Sequence, residues 1–219
     1  MKAIILAAGK GKRFGKITDS LPKPLIKIGG LSLIERNIKL LKSCDFTDII
    51  INVSHLSELI IDKLGNGENF GVNITYSIEK PEPLETGGGI HNALNFIDEN
   101  QFIVLNSDIY TDFNLKNLCL QGNDLASLVM IKNPSHNLAG DFSLENGRIT
   151  LNKKNMMTYS GIAILNKKIF EGEKIRKYKL VDVLSKYIKM EKVSGLKHNG
   201  FWYDVGDIEK LKIVEKLFI

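Results

Sequence analysis

Cysteine, tryptophan and proline are scarce, with two, one and five occurrences in 219 residues. The two cysteines, Cys44 and Cys119, show no C-x-x-C spacing and no neighbouring histidine cluster. A disulfide-stapled fold and a structural zinc site are thereby excluded, and a reducing compartment is implied. Long apolar runs are also missing, and none reaches the roughly 18 residues needed to cross a bilayer. The opening residues read as a strand followed by a basic loop, the wrong order for a secretory signal. A cytoplasmic protein with no membrane partner is expected. No internal repeat, low-complexity tract or linker divides the chain, and 43% hydrophobic content over 219 residues suits one large domain, 1–219.

An acidic excess is lacking as well. The chain carries +5 overall, yet residues 1–27 alone hold seven Lys or Arg against one acid, Asp19, a net of +6. Positive charge therefore gathers at one place, which favours a polyanionic small ligand. A nucleic-acid surface would spread its charge and interleave aromatics, and the basic loop shows no such interleaving, so no nucleic-acid partner is expected. In the same stretch the apolar run Ala3 to Ala7 breaks into Ala8-Gly9-Lys10-Gly11-Lys12-Arg13-Phe14-Gly15, then Leu21-Pro22-Lys23-Pro24-Leu25. A buried strand followed by small residues and cations lets backbone N–H groups approach an anion. Two familiar phosphate loops fail the spacing. Phe14 stands where a dinucleotide fingerprint needs its third glycine, and Gly11-Lys12 is followed by Arg13 where a P-loop needs Ser or Thr.

Along the chain, short apolar runs alternate with helix-period segments, the pattern of an α/β fold. Ser32 and Glu35 form a capping box ahead of a helix to about Ser43. Strands are read at 49–53, 72–77 and 102–105, with a helix at 56–64 ending on Gly65. The last of these strands ends in Asn106-Ser107-Asp108. Asn146-Gly147 signals a two-residue hairpin, so antiparallel strands enter there. Later come a strand at 158–165, a helix at 180–190, strands at 193–197 and 201–204, and a closing helix capped by Asp207. A Rossmann-like three-layer sandwich is implied, its central sheet mostly parallel with a small antiparallel insertion. Ligands belong at the carboxyl ends of the strands. The pattern reads as two halves, 1–110 and 111–219, the second changing character where the antiparallel strands enter.

Two features beyond the opening loop carry chemistry. Asp108 and Asp204 each follow an apolar strand, so both carboxylates should emerge at one rim and could share a hard cation; the plainer alternative is a turn and a cap. Mg²⁺ accepts few carboxylates and completes its shell with water and phosphate oxygens. Thr86-Gly87-Gly88-Gly89, placed ahead of a helix, disfavours regular structure unless something needs a close backbone approach. A nucleobase or ribose would need it, as would a tight junction.

The segment Leu6 to Phe14 with Pro22 to Leu25 resembles the signature of sugar-1-phosphate nucleotidyltransferases. Pro83 to Ile90, Gly140-Asp141-Phe142, Tyr159-Ser160-Gly161-Ile162, Lys179-Leu180 and Phe201 to Gly206 extend the likeness along the chain. Within the family it is most similar to the group acting on N-acetylmuramic acid 1-phosphate. The resemblance implies transfer of UMP from UTP to that sugar phosphate, with pyrophosphate released, in peptidoglycan recycling. It implies that Ala7, Ala8, Gly9, Lys10, Gly11, Lys12 and Arg13 wrap the triphosphate, with Arg13 on the departing pyrophosphate and Lys23 at the α-phosphate. Thr86, Gly87, Gly88 and Asn106 would hold the nucleoside, Gly140, Asp141 and Lys179 the sugar phosphate, and Asp108 and Asp204 the Mg²⁺. Arg13, Lys23 and Asp108 would be catalytic. Nucleotidyl transfer needs positioning and cations more than a protein nucleophile. The four histidines, His55, His91, His136 and His198, are therefore read as surface or supporting residues. Other members have a Glu-Lys pair before the Tyr159 segment, where this chain reads Asn152-Lys153-Lys154-Asn155. Either lysine serves the sugar phosphate or the loop is solvated. Transfer to another hexose 1-phosphate, with a guanylyl, uridylyl or thymidylyl group, and a catalytically silent nucleotide binder are the alternatives.

Overall fold

Residues 1–218 are described by a computed structural model. Its elements run in chain order as β1 (Ala3–Leu6), α1 (Ile17–Ser20), β2 (Lys27–Ile28), β3 (Leu31–Ser32), α2 (Leu33–Ser43), β4 (Asp48–Val53), α3 (Ser57–Leu64), β5 (Asn73–Ile78), α4 (Glu85–Ala93), β6 (Gln101–Asn106) and β7 (Ile109–Thr111). There follow β8 (Ala126–Ile131), β9 (Phe142–Glu145), β10 (Arg148–Thr150), β11 (Met156–Asn166), α5 (Leu180–Lys189), β12 (Val193–His198), β13 (Trp202–Asp204) and α6 (Ile208–Glu215). A nine-stranded sheet takes the order β5-β4-β1-β6-β11-β8-β12-β10-β9.

Because side chains alternate across a strand, the central strands are apolar on both faces and feed two cores. Ala3 and Ile5 of β1 join Ile103 and Leu105 of β6 under α2 and α3. Ile4, Phe102 and Val104 face the other way, under α4 and α5. This is the expected three-layer sandwich. A third cluster, Phe14, Ile26, Ile28, Leu33, Val205 and Val214, ties the basic loop to the C-terminal helix.

The capping box forms as read, with the Glu35 N–H donating to Ser32 Oγ at 3.3 Å and the Ser32 N–H to Glu35 Oε2 at 2.7 Å. Asn146 and Gly147 both take positive φ in the β9–β10 hairpin, as a type I′ turn requires. Two features go beyond the sequence pattern. The strands β5, β4, β1 and β6 run parallel, but β11 lies reversed between β6 and β8 at the middle of the sheet, so antiparallel pairing is not confined to the hairpin. And β8, to which the patterning assigns no element, is buried along its whole length and pairs in parallel with β12.

Candidate active site

At the carboxyl ends of β1, β4, β5 and β6 lies a cavity of about 360 Å³. Ala7, Ala8, Gly9, Gly11, Lys12, Arg13 and Lys23 form one wall. Among the described residues, the backbone N–H groups of Ala8, Gly9, Lys10 and Gly11 donate to no protein acceptor. They are the donors an anion would use. Gly11 has φ of 63°, and a Cβ there would sit 2.9 Å from both Lys23 Cβ and Thr18 Cγ2. Glycine thus lets the loop close over the Lys23 segment. Buried Phe14 anchors the far end of the loop, and Arg13 lies against Gly206, where any Cβ would come within 2.9 Å of the guanidinium. Lys10 is exposed and does not line the cavity.

Strand ends supply the floor. Asn106 ends β6 and Asp108 follows it, and Lys23 Nζ donates to Asp108 Oδ2 at 2.5 Å. Gly161, at φ of 81°, sits where β11 shifts register, and a Cβ there would lie 2.5 Å from Asn106 Nδ2. The glycine of the Tyr159-Ser160-Gly161 segment therefore makes room for Asn106. Two lining residues escape the sequence reading, Asn52 of β4 and Glu79 just after β5. Each is a polar residue at the carboxyl end of a parallel strand, the position that Asn106 also holds. Burial pushes the Glu79 carboxyl above its usual range, against the N–H donors of Leu84 and Asn52 that pull it down.

The glycine triplet is placed differently from the expectation. Gly87 and Gly88 lie inside α4, buried, and do not line the cavity. A Cβ on Gly87 would be 2.5 Å from the Tyr178 ring, and one on Gly88 would be 2.1 Å from the Arg176 carbonyl oxygen. Both N–H groups donate to Tyr178 O, at 3.0 and 3.1 Å. The close approach that needs glycine is made by the chain entering α5, and the cavity is lined instead by Glu85 and Thr86.

A second cavity, of about 380 Å³, shares Leu6, Glu85, Thr86 and Asn106 with the first. Asp141, Phe142, Tyr159, Lys179 and Leu184 complete much of its wall. Asp141 is already engaged: Oδ2 accepts the Tyr159 N–H at 2.8 Å and Oδ1 the Asn137 amide at 3.1 Å. Thr86 Oγ1 accepts the Leu180 N–H at 2.9 Å, which pins α5 to the shared wall and leaves the Thr86 hydroxyl proton free. Gly140 stands beside this cavity at φ of 70° without lining it, packed on Met156, Met157 and Asn133. Lys153 and Lys154 are exposed and line neither cavity.

Asp204 faces a third cavity, of about 520 Å³, lined also by His136, Trp202 and Lys210. Its strand pairs with β7, and the Val205 N–H donates to Asp108 O at 2.8 Å, so the two acids stand on adjoining strand ends. Each holds a lysine: Asp108 the ammonium of Lys23, and Asp204 that of Lys210 at 2.6 Å, with His136 Nε2 at 3.4 Å. Among the described residues no group of three or more His, Cys, Asp or Glu side chains is arranged to hold a metal ion. Asp108 lines the cavity of the loop N–H donors and Asp204 the third cavity; carboxylates are the donor type that Mg²⁺ takes together with water and phosphate oxygens.

Chemically, the first cavity offers N–H donors, Lys12, Arg13 and Lys23 to a polyphosphate, and the second opens from the same wall. Two substrates could meet beside Asn106 and Asp108. A family profile described as nucleotidyl transferase matches residues 2–143. The chain is 41% identical to the N-acetylmuramate alpha-1-phosphate uridylyltransferase of Neisseria meningitidis, covering 99% of this chain and 98% of that one. It is 30% identical to the D-glycero-alpha-D-manno-heptose 1-phosphate guanylyltransferase of Campylobacter jejuni, covering 94% and 95%. The crystal structure of HddC from Yersinia pseudotuberculosis complexed with GMP-PN superposes with a TM-score of 0.82 at 25% identity, covering 100% of this chain and 99% of that one.

Proposed function

Because the chain belongs to the nucleotidyl transferase family and is a sugar-1-phosphate nucleotidyltransferase by its likeness to such enzymes along nearly its whole length, we propose that it transfers UMP from UTP to N-acetylmuramic acid 1-phosphate, releasing pyrophosphate. The observation that carries the reading is the wall common to the two cavities, Leu6, Glu85, Thr86 and Asn106. A triphosphate along the glycine loop and a sugar phosphate beside Lys179 would meet there. The choice of base and sugar rests on the 41% identity to the Neisseria enzyme. The product would return the amino sugar to peptidoglycan synthesis.

An oxygen of the sugar phosphate attacks the α-phosphorus of UTP, and the bond from that phosphorus to the bridging oxygen breaks as pyrophosphate leaves. The attacking group is already an anion at neutral pH, so no side chain need remove a proton. Lys23 lies at the floor and balances charge on the α-phosphate oxygens. Arg13, steadied against Gly206, balances the charge growing on the leaving group. The loop N–H groups hold the chain of phosphates in line, which lowers the entropy cost of the encounter. Asp108 and Asp204 would hold Mg²⁺, exchanging their lysine partners for it. When bound, the metal supplies further charge neutralisation on the phosphate oxygens.

A matrix of the four nucleoside triphosphates against N-acetylmuramic acid, N-acetylglucosamine, glucose, mannose and heptose 1-phosphates, scored by pyrophosphate release, tests the reading. Turnover highest with UTP and N-acetylmuramic acid 1-phosphate supports it. A preference for GTP or for another sugar replaces the substrates and keeps the reaction class.

A further inference from the structure

Asn52 and Glu79 belong to neither the phosphate loop nor the acceptor wall, yet both face the nucleotide cavity from beneath and are almost wholly buried, at 3% and 2% exposure. Their hydrogen bonds form one connected chain. Asn52 Oδ1 accepts the Ala7 N–H at 2.7 Å. Asn52 Nδ2 donates to Glu79 Oε1 at 2.5 Å, and Glu79 Oε2 accepts the Leu84 N–H at 2.7 Å. Only one amide orientation allows this, because a backbone N–H needs the carbonyl oxygen and a carboxylate needs the NH₂. The ends of the chain are the residue that opens the phosphate loop and the residue that precedes Glu85 and Thr86. Helix α4 closes over the middle: a Cβ on Gly89 would lie 2.4 Å from Glu79 Oε1 and 2.6 Å from Asn52 Nδ2.

A buried carboxylate is costly unless it is bonded at every position. An apolar pair would fill the same volume but would leave the Ala7 and Leu84 N–H groups without these acceptors. The Ala7 N–H, shared between Asn52 Oδ1 and the Asn52 backbone carbonyl at 3.2 Å, is turned into the protein, while those of Ala8, Gly9, Lys10 and Gly11 donate to no protein acceptor among the described residues. The side-chain link spans the gap between β1 and the turn at Leu84.

We propose that Asn52 and Glu79 are positioning residues for the nucleotide: a buried strut that sets the separation of the phosphate loop from the turn at Leu84 to Thr86. The inference rests on the reading of this cavity as the nucleotide site. Loss of the strut weakens nucleotide binding most and, because Glu85 and Thr86 also line the acceptor cavity, raises the acceptor's Michaelis constant less.

The test exchanges the two groups. Glu79→Gln sets an amide NH₂ against a donor at one end or the other, and Asn52→Asp sets two carboxylates side by side. The double variant restores every bond: the carboxylate now at position 52 would accept from the Ala7 N–H and from the amide NH₂ now at position 79, whose oxygen would accept from the Leu84 N–H. UTP binding is measured by calorimetry, and the Michaelis constant of the sugar phosphate is measured at saturating UTP. Each single change is expected to weaken UTP by about tenfold or more, and the double variant to return to within about threefold of wild type. The acceptor constant is expected to change less than the UTP affinity in every variant. Single variants that lose thermal stability but bind UTP normally would overturn the proposal. A single variant too unstable to purify leaves the double variant as the test: folded protein that binds UTP normally supports the strut, and folded protein that binds it weakly overturns it. Wild-type protein that binds none of the four nucleoside triphosphates would overturn the nucleotide reading itself, an outcome distinct from normal wild-type binding with unaffected variants.

Discussion

The two cavities that share Leu6, Glu85, Thr86 and Asn106 are walled by different materials. On the nucleotide side the wall is backbone and strand ends: N–H groups from Ala8 to Gly11 that donate to nothing among the described residues, and polar side chains at the ends of β4, β5 and β6. On the acceptor side it is largely the bodies of side chains, Phe142, Tyr159, Leu180 and Leu184, with Lys179 supplying positive charge. In the proposed reaction the contrast follows from what each would bind. A phosphate chain is recognised by fixed donors and charge, and a parallel sheet presents both at its carboxyl edge. A sugar is recognised by shape, and a shape can be built from core-type residues.

The largest expected effect lies on the side of the glycine loop. Lys23→Ala removes the ammonium that neutralises Asp108 and, in the proposed reaction, the α-phosphate. Turnover is expected to fall by about 10²–10³-fold, the loss typical of a single transition-state donor, with the circular dichroism spectrum unchanged. Turnover within a few-fold of wild type would remove Lys23 from the chemistry.

The joint between the sides is the next target. Gly88→Ala drives a methyl group into the Arg176 carbonyl, 2.1 Å from the ideal Cβ. A loss of about 1–3 kcal/mol is expected in urea unfolding, as for other overpacked cores. Both Michaelis constants should rise, because α4 carries Thr86 and touches the approach to α5. From the acceptor side, Lys179→Ala is expected to raise the Michaelis constant of the sugar phosphate about tenfold, equivalent to about 1.4 kcal/mol, with that of UTP unmoved. Equal effects on both substrates would merge the two walls into one site.

The smallest effect is one of pH. His91 of α4 contacts the Tyr178 hydroxyl at 3.0 Å, and burial holds its imidazole below the ordinary value, only partly offset by Glu173. Its neutral form is favoured in the folded protein, so the unfolded chain takes up the proton first. Stability from this group is present above about pH 6.5 and is lost as the pH falls below it. His91→Gln should flatten the melting temperature between pH 7 and pH 5 while both Michaelis constants at pH 7.5 stay as they are.

Much of the nucleotide wall was legible because its determinants are local. The glycines and cations from Ala7 to Lys23 lie within one stretch, and Ser32, Asp207 and Asn146-Gly147 act on their own neighbours. What the sequence hid is long-range. Asn52 and Glu79 are 27 residues apart, and only the pairing of β4 with β5 brings them together. Gly87 and Gly88 have the composition of a ligand turn, but their neighbours come from Arg176 to Lys179. The apolar stretch of β8 could have been read as a strand, whereas the reversed direction of β11 carries no local signature. Asp204 announces itself at a strand end, but its partners Lys210 and His136 come from α6 and from the loop after β8.

The central claim is direct transfer between two bound substrates without a protein nucleophile. The stereochemical course at the α-phosphorus tests it most directly, using UTP made chiral by sulfur and oxygen isotope at that atom with N-acetylmuramic acid 1-phosphate as acceptor. A single in-line displacement predicts inversion in the nucleotide sugar. Retention would require two displacements and a covalent nucleotidyl-enzyme, and would contradict the account.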